Sequence, residues 1–248
     1  MTIVLVHGNP ETDAIWDEMR KHLSSNDVIA LSPPGFGSPV PADFGATSDD
    51  YANWLTAEVA KLPGPIDLIG HDWGGGHVVR MANARPELIR SWTTDIAGCF
   101  DPEYVWHEMA QAWQKPGVGE EAVRQMVTSP LEARAARYET LGMTKDVAAR
   151  VAAGADEAMA RCILSLYRSA AQPAMTAWGK DLSKAATLPS LVIIPTEDHF
   201  TGGEVLAKRT AARTGSSVAV LQGLGHWWMC QDPARGAAVI NEFIASLA

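Results

Sequence analysis

The chain has 248 residues, of which 47% are hydrophobic and 20% charged, enough apolar material for one large domain and too little charge for a disordered segment. Lys and Arg number 20 against 29 Asp and Glu, a net charge of -9 with no basic block, so a nucleic-acid partner is not expected. The three cysteines (Cys99, Cys162, Cys230) form neither a disulfide framework nor a metal spacing, and no apolar run reaches the ~18 residues of a membrane span.

Thr2–Val6 is a wholly apolar run bounded by Gly8 and Pro10, the pattern of a strand buried on both faces. Ile15, Met19 and Leu23 recur every four residues and predict a helix over Asp13–Leu23. Asp27–Leu31 reads as a second strand, stopped by Pro33-Pro34-Gly35 and followed by Pro/Gly-rich loop to Gly45. A helix over Asp49–Leu62 turns Tyr51, Leu55 and Leu62 inward. Ile66–Ile69 is a third strand that turns at Gly70–Gly74 into a helix reaching about Ala84, and Ser91–Ile96 is a fourth. From residue 99 to about 185 the chain is rich in Ala, Met and Arg at helical spacing, with no strand. Leu191–Pro195 and Val218–Leu221 restore the strand texture, and Asp232–Leu247 closes the chain as a helix with Pro233 in its first turn.

Strands alternating with helices predict an α/β fold: a mostly parallel sheet of about six strands, covered on both faces. Residues 1–98 and 186–248 then form the core, and 99–185 a helical cap over the carboxyl ends of the strands, where ligands bind in such sheets.

Ile69-Gly70-His71-Asp72-Trp73-Gly74 takes a strand through a Gly-x-Asp-x-Gly turn into a helix. Such an elbow lifts one side chain above the sheet, here Asp72, although an Asp in that place also serves as a helix cap. His7-Gly8-Asn9-Pro10 follows the first strand and faces the elbow, so its backbone N–H groups and that of Trp73 are candidates for an oxyanion hole. Gly225-His226-Trp227-Trp228 follows the sixth strand and supplies His226 as a base. A carboxylate must hold that imidazole, and two are placed for it: Asp198, after the fifth strand, and Asp95, at the end of the fourth, with Asp198 favoured.

Together these segments resemble the α/β-hydrolase fold, and within it the branch with an aspartate in place of the usual serine, which includes epoxide hydrolases and haloalkane dehalogenases. The resemblance implies that Asp72 attacks a saturated carbon and forms an alkyl-enzyme ester, which His226 hydrolyses by activating water. It also implies that two strands usual at the N-terminus of this fold are missing. The first strand would then be a sheet edge, open to a second subunit, which leaves room for a homodimer.

What separates the two activities is the group that receives the leaving atom. Leu166-Tyr167-Arg168 resembles the segment carrying a ring-opening tyrosine in epoxide hydrolases. Val105-Trp106-His107 resembles a subgroup in which histidine replaces the other such tyrosine, whose usual place counts to Met109. His107 and Tyr167 are therefore the expected donors to an epoxide oxygen, with Tyr104 and Tyr138 in reserve. Asn9 and Trp73 match halide-binding residues of haloalkane dehalogenases, the alternative activity. An arginine directly after Asp72, expected for haloacids, is absent. A non-catalytic ligand-binding member of the fold is a third reading, opposed by the retained Asp72 and His226. Trp106, Met109, Trp113 and Trp227 are expected to line a pocket for a small, neutral, apolar substrate. No metal or organic cofactor is expected. Dispersed cysteines and a chain that enters its first strand without a basic leader predict a cytoplasmic enzyme.

Overall fold

A computed structural model describes residues 1–247. Six strands form one sheet: β1 (Thr2–Val6), β2 (Val28–Leu31), β3 (Ile66–Gly70), β4 (Ser91–Thr94), β5 (Ser190–Pro195) and β6 (Ser217–Leu221). Their order is β2-β1-β3-β4-β5-β6, and every neighbouring pair is parallel. The expectation that the first strand is an edge is therefore corrected. β1 lies between β2 and β3 and all five of its residues are buried, whereas β2, the true edge on that side, is only half-buried. A parallel neighbour supplied after a crossover shields β1, which chain order alone does not reveal.

Before β4 the chain forms the short helix α1 (Asp17–Arg20) and the longer helices α2 (Ser48–Val59) and α3 (Trp73–Ala84). Thr47 starts α2 with a reciprocal cap: its hydroxyl accepts from the Asp50 N–H, and the Asp50 carboxylate accepts from the Thr47 N–H. Between β4 and β5 lie six helices: α4 (Glu108–Gln114), α5 (Val118–Thr128), α6 (Leu131–Thr140), α7 (Lys145–Gly154), α8 (Glu157–Ser169) and α9 (Ala174–Gly179). After β5 come α10 (Gly203–Thr214), α11 (Trp228–Gln231) and α12 (Pro233–Ala245). No helix of the described residues is long and apolar enough to cross a membrane.

Two local differences from the sequence reading have physical causes. The segment expected as one helix over Asp13–Leu23 is a 3-10 turn followed by α1. Ala14, Ile15 and Trp16 are all buried, and three consecutive inward residues do not fit one stripe of an α-helix. Helix α10 buries Ala207, Thr210, Ala211 and Thr214, and of its two large apolar residues Val205 is exposed and only Leu206 packs against the core, so no apolar stripe announces it.

The pleat of β1 divides the core. Ile3 and Leu5 pack on one side of the sheet with Trp16, Ile193, Trp228 and Ile240. Val4 and Val6 pack on the other with Tyr51, Leu55, Leu68 and Val78. The β1–β3 register pairs Val6 with Gly70, and the His71 N–H donates to the Val6 carbonyl at 2.9 Å. Residues 7–9 and 71–73 therefore leave the sheet side by side. Helix α3 then starts almost in contact with β1, and a Cβ on Gly74 would lie 2.2 Å from the Val6 carbonyl oxygen. Backbone cannot yield there as a flexible side chain would. Gly74→Ala is expected to cost about 3 kcal/mol and to lower the melting temperature by roughly 6–12 °C. An unchanged melting curve would contradict this packing.

Candidate active site

Asp72 is the residue at the turn between β3 and α3, with φ 49° and ψ -129°. A positive φ at a residue with a Cβ is strained backbone, here imposed by the close passage of α3 past β1. The same turn carries the Asp72 side chain over the loop after β1. Its Oδ1 accepts from the Asn9 N–H at 2.8 Å. Gly8 makes room for this approach, since a Cβ there would lie 2.2 Å from Asp72 Oδ1. Trp73 is the first residue of α3, so its N–H has no intrahelical partner. Asp72 as a helix cap is not what the structure contains: its side chain makes no cap hydrogen bond to α3.

His226 approaches from the loop after β6. Its Nδ1 lies 2.8 Å from Asp198 Oδ2, and its Nε2 lies 3.6 Å from Asp72 Oδ2. Asp198 also accepts from the Phe200 N–H. A carboxylate at Nδ1 fixes that nitrogen as the donor and leaves the Nε2 lone pair facing Asp72. Burial opposes charge on His226, but Asp198 outweighs it and raises the pKa above the ordinary histidine value. Burial likewise raises the pKa of Asp72, against the pull of His226. Asp198 goes the other way, its desolvation outweighed by His226.

The structure brings Asp198, not Asp95, to His226. Asp95 Oδ2 meets His71 Nδ1 at 2.5 Å and accepts from Trp228 Nε1, while Oδ1 accepts from the Asp72 N–H at 3.0 Å. The alternative acid is thus corrected to a group that holds the elbow from below. The other face of His71 meets Glu11 Oε1 at 3.1 Å, and Glu11 also accepts from Trp227 Nε1 and from the Gly8 N–H. His71 and Glu11 are completely buried. Burial alone would discharge His71, but its two carboxylates raise its pKa well above the ordinary value, and His71 in turn lowers Glu11 against burial. The sequence reading gave neither Glu11 nor His71 a role. The available signal was a histidine beside Asp72 with a second acid, Asp95, at the end of the next strand.

Glu11, His71 and His226 bring ligand-type atoms within 4.8 Å of one another. Both His71 nitrogens are already engaged with carboxylates, so this donor set is an ion-pair cluster that spends its donors on itself.

The helices between β4 and β5 supply the opposite wall. The Tyr167 hydroxyl, on α8, accepts from Asn9 Nδ2 at 3.2 Å. Its own proton is therefore free to be donated elsewhere, and burial raises its pKa so that the proton stays on. His107 caps α4: its Nδ1 accepts from the Ala110 N–H at 3.3 Å, which puts the ring proton on Nε2. Burial and the nearby His226 lower its pKa to about 4, so the ring is neutral at pH 7. Asp72, Tyr167, His107 and His226 all border one cavity of about 450 Å³, whose lining includes Asn9, Met109, Trp113 and Trp227. Trp106 lines a smaller space of about 20 Å³, with Asp72, Trp73, Tyr167 and His107. Tyr104 and Tyr138 are occupied with the backbone carbonyls of Phe200 and Pro10. Phe200, missed in the sequence, packs against both His107 and His226.

Residues 3–239 match the model of the alpha/beta hydrolase family. The AB hydrolase superfamily protein YfhM of Bacillus subtilis is 24% identical over 98% of this chain and 89% of its own. An epoxide hydrolase of Caballeronia sordidicola is 30% identical over 36% of this chain, a match that spans 29% of that protein. Among solved structures, a loop variant of the haloalkane dehalogenase DbeA from Bradyrhizobium elkanii superposes with a TM-score of 0.74 at 19% identity. That alignment covers 99% of this chain and 89% of the other.

The buried His71 makes a prediction of its own. Its raised folded pKa means that its stabilisation is complete below about 6.5, the ordinary value, and is lost as pH rises through the folded value. Melting temperature should therefore fall through the alkaline range. His71→Gln, which leaves two buried carboxylates facing an uncharged group, should cost about 3–5 kcal/mol and remove most of that alkaline decline. A variant as stable as the parent, with the same pH dependence, would show that His71 is uncharged.

Proposed function

This chain belongs to the alpha/beta hydrolase family, and within it we propose an epoxide hydrolase that works through an ester on Asp72. The observation that carries this reading is the pair of donors that line one cavity with Asp72. Asn9 occupies a lone pair of the Tyr167 oxygen and the Ala110 N–H occupies His107 Nδ1, so each residue keeps one proton to offer. Two oriented donors suit an epoxide oxygen, which becomes an alkoxide as the ring opens.

In this reading Asp72 Oδ2, the oxygen not held by Asn9, attacks an epoxide carbon. The carbon–oxygen bond of the ring breaks, His107 Nε2–H and Tyr167 O–H bind the developing alkoxide, and Tyr167 gives up its proton to complete the hydroxyl. Water then adds to the Asp72 ester carbonyl as His226 Nε2 takes its proton. The resulting oxyanion rests on the N–H groups of Asn9 and Trp73. Collapse expels the diol oxygen, which receives the proton held by His226, and the second proton of the water, left on the Asp72 carboxyl, returns to Tyr167, so that both groups are restored. The helices between β4 and β5 act as a cap that supplies the ring-opening donors and limits water. No metal or organic cofactor takes part in these steps.

A second reading, a haloalkane dehalogenase with the same Asp72 and His226, is favoured by a different observation. The indole N–H groups of Trp106 and Trp113 are buried without partners, and Trp106 and Trp73 border the space of about 20 Å³ beside Asp72. Weak N–H donors around a space of that size suit a halide.

Incubation with aryl and alkyl epoxides and with bromoalkanes separates the two. Diol from epoxides, without bromide from bromoalkanes, is expected; bromide without diol would transfer the protein to the second reading. Tyr167→Phe should slow ester formation from epoxides by about 10²-fold, and an unchanged rate would remove it as a donor. His226 must be neutral to take a proton from water. With its pKa raised, ester hydrolysis should climb with pH through a value above about 6.5, measured as single-turnover decay of the ester. A flat profile would remove His226 as the base.

A further inference from the structure

The cavity that Asp72 faces is not apolar on its cap side. Arg134 and Arg137, one turn apart on α6, both line it, together with Gln125 and Ser129. The chain has an excess of acidic groups, and seven of its thirteen arginines use them, Arg90, Arg150, Arg168 and Arg209 among them. Neither Arg134 nor Arg137 has a carboxylate within 4.0 Å among the described residues, although Glu132 and Glu139 stand on the same helix. Arg134 is half-buried. One of its terminal nitrogens donates to the Ala155 carbonyl at 2.6 Å, which pins the side chain, while its Nε is buried without a partner. That nitrogen is closed to the cavity as well as to water, so the donors left for a ligand are the terminal nitrogen that Ala155 does not use and the guanidinium of Arg137.

We propose that these two arginines receive a carboxylate on the substrate, so that the preferred substrate is an epoxide carrying an anionic chain, bound with its ring at Asp72 and its acid at Arg134 and Arg137. This rests on the epoxide reading of Asp72 for the reacting group, and on the cavity alone for the acid. It differs from the small, neutral, apolar substrate expected from Trp106, Met109, Trp113 and Trp227. The cations answer two obstacles to an anion here: the net charge of -9 and the Asp72 carboxylate in the same cavity. A fork of guanidinium donors suits the flat geometry of a carboxylate. Met109, Trp113, Met126 and Leu141 line the same cavity and give it apolar wall for an aliphatic chain.

The test compares a terminal epoxyhexanoate with its methyl ester, which has the same shape without the charge. The acid should be hydrolysed with a kcat/KM at least tenfold above that of the ester, the difference lying in KM and shrinking with added salt. In Arg134→Gln/Arg137→Gln the ratio should fall to near one. Arg137→Gln alone, which leaves the pin to Ala155 intact, should lower it part way and guards against a folding defect in the double variant. An acid-to-ester ratio of one in the parent, or a ratio that the variants leave unchanged, would overturn the proposal. Titration with hexanoate and with hexanol measures the same contacts without any reaction. If neither epoxide is turned over, hexanoate binding at least tenfold tighter than hexanol, and lost in the double variant, keeps the acid site and rejects the epoxide reading. Equal binding of the two rejects the acid site.

Discussion

The buried His71, held between Asp95 and Glu11, is the interaction on which the rest of the site depends. It joins three parts of the chain that the sheet places side by side: the end of β4, the turn before α3 and the loop after β1. A histidine with a carboxylate on each nitrogen has its ring orientation fixed and its charge stabilised, at the expense of burying three ionisable groups in one place. The spare lone pairs of those carboxylates carry the arrangement outward. Asp95 accepts from the Asp72 N–H and Glu11 from the Gly8 N–H, so both backbone segments around the Asp72 carboxylate are held by acceptors below them. Trp227 and Trp228, donating to Glu11 and Asp95, bring the loop that carries His226 into the same network.

Above this layer, charge and hydrogen-bond direction decide what each group can do. Asp198 fixes the tautomer of His226 and leaves its lone pair toward Asp72. Asn9 serves twice: its N–H holds one oxygen of Asp72 and its side chain occupies the acceptor side of Tyr167. The strained backbone of Asp72 has a physical cause in the near contact of α3 with β1, so the side chain that stands above the sheet and the glycine that permits it are parts of one device.

Much of this was legible in the sequence. Apolar runs such as Thr2–Val6 can only be strands buried on both faces, and glycines on either side of Asp72 mark a turn where backbones meet. The order of Asp72, Asp198 and His226 along the chain anticipated that the three would meet, because each follows a strand of one parallel sheet. What the sequence hid has specific reasons. β1 is interior because a crossover returns β2 to its far side, and single-chain order does not encode that. α10 packs through alanine and threonine, so it lacks an apolar stripe. The role of His71 depends on two acids 60 residues upstream and 24 downstream in the chain, and only the register of β1, β3 and β4 brings them together. Arg134 and Arg137 read as ordinary helix-surface cations until the fold turns their helix toward the cavity.

In the proposed reaction Asp72 itself bonds to the substrate carbon. A single turnover in oxygen-18 water with enzyme in excess tests it most directly. If Asp72 is the nucleophile, the first diol carries an unlabelled oxygen taken from the carboxylate, and the label appears in the peptide containing Asp72. Label in the diol and none in that peptide would mean that water attacks the substrate directly, and would contradict the account.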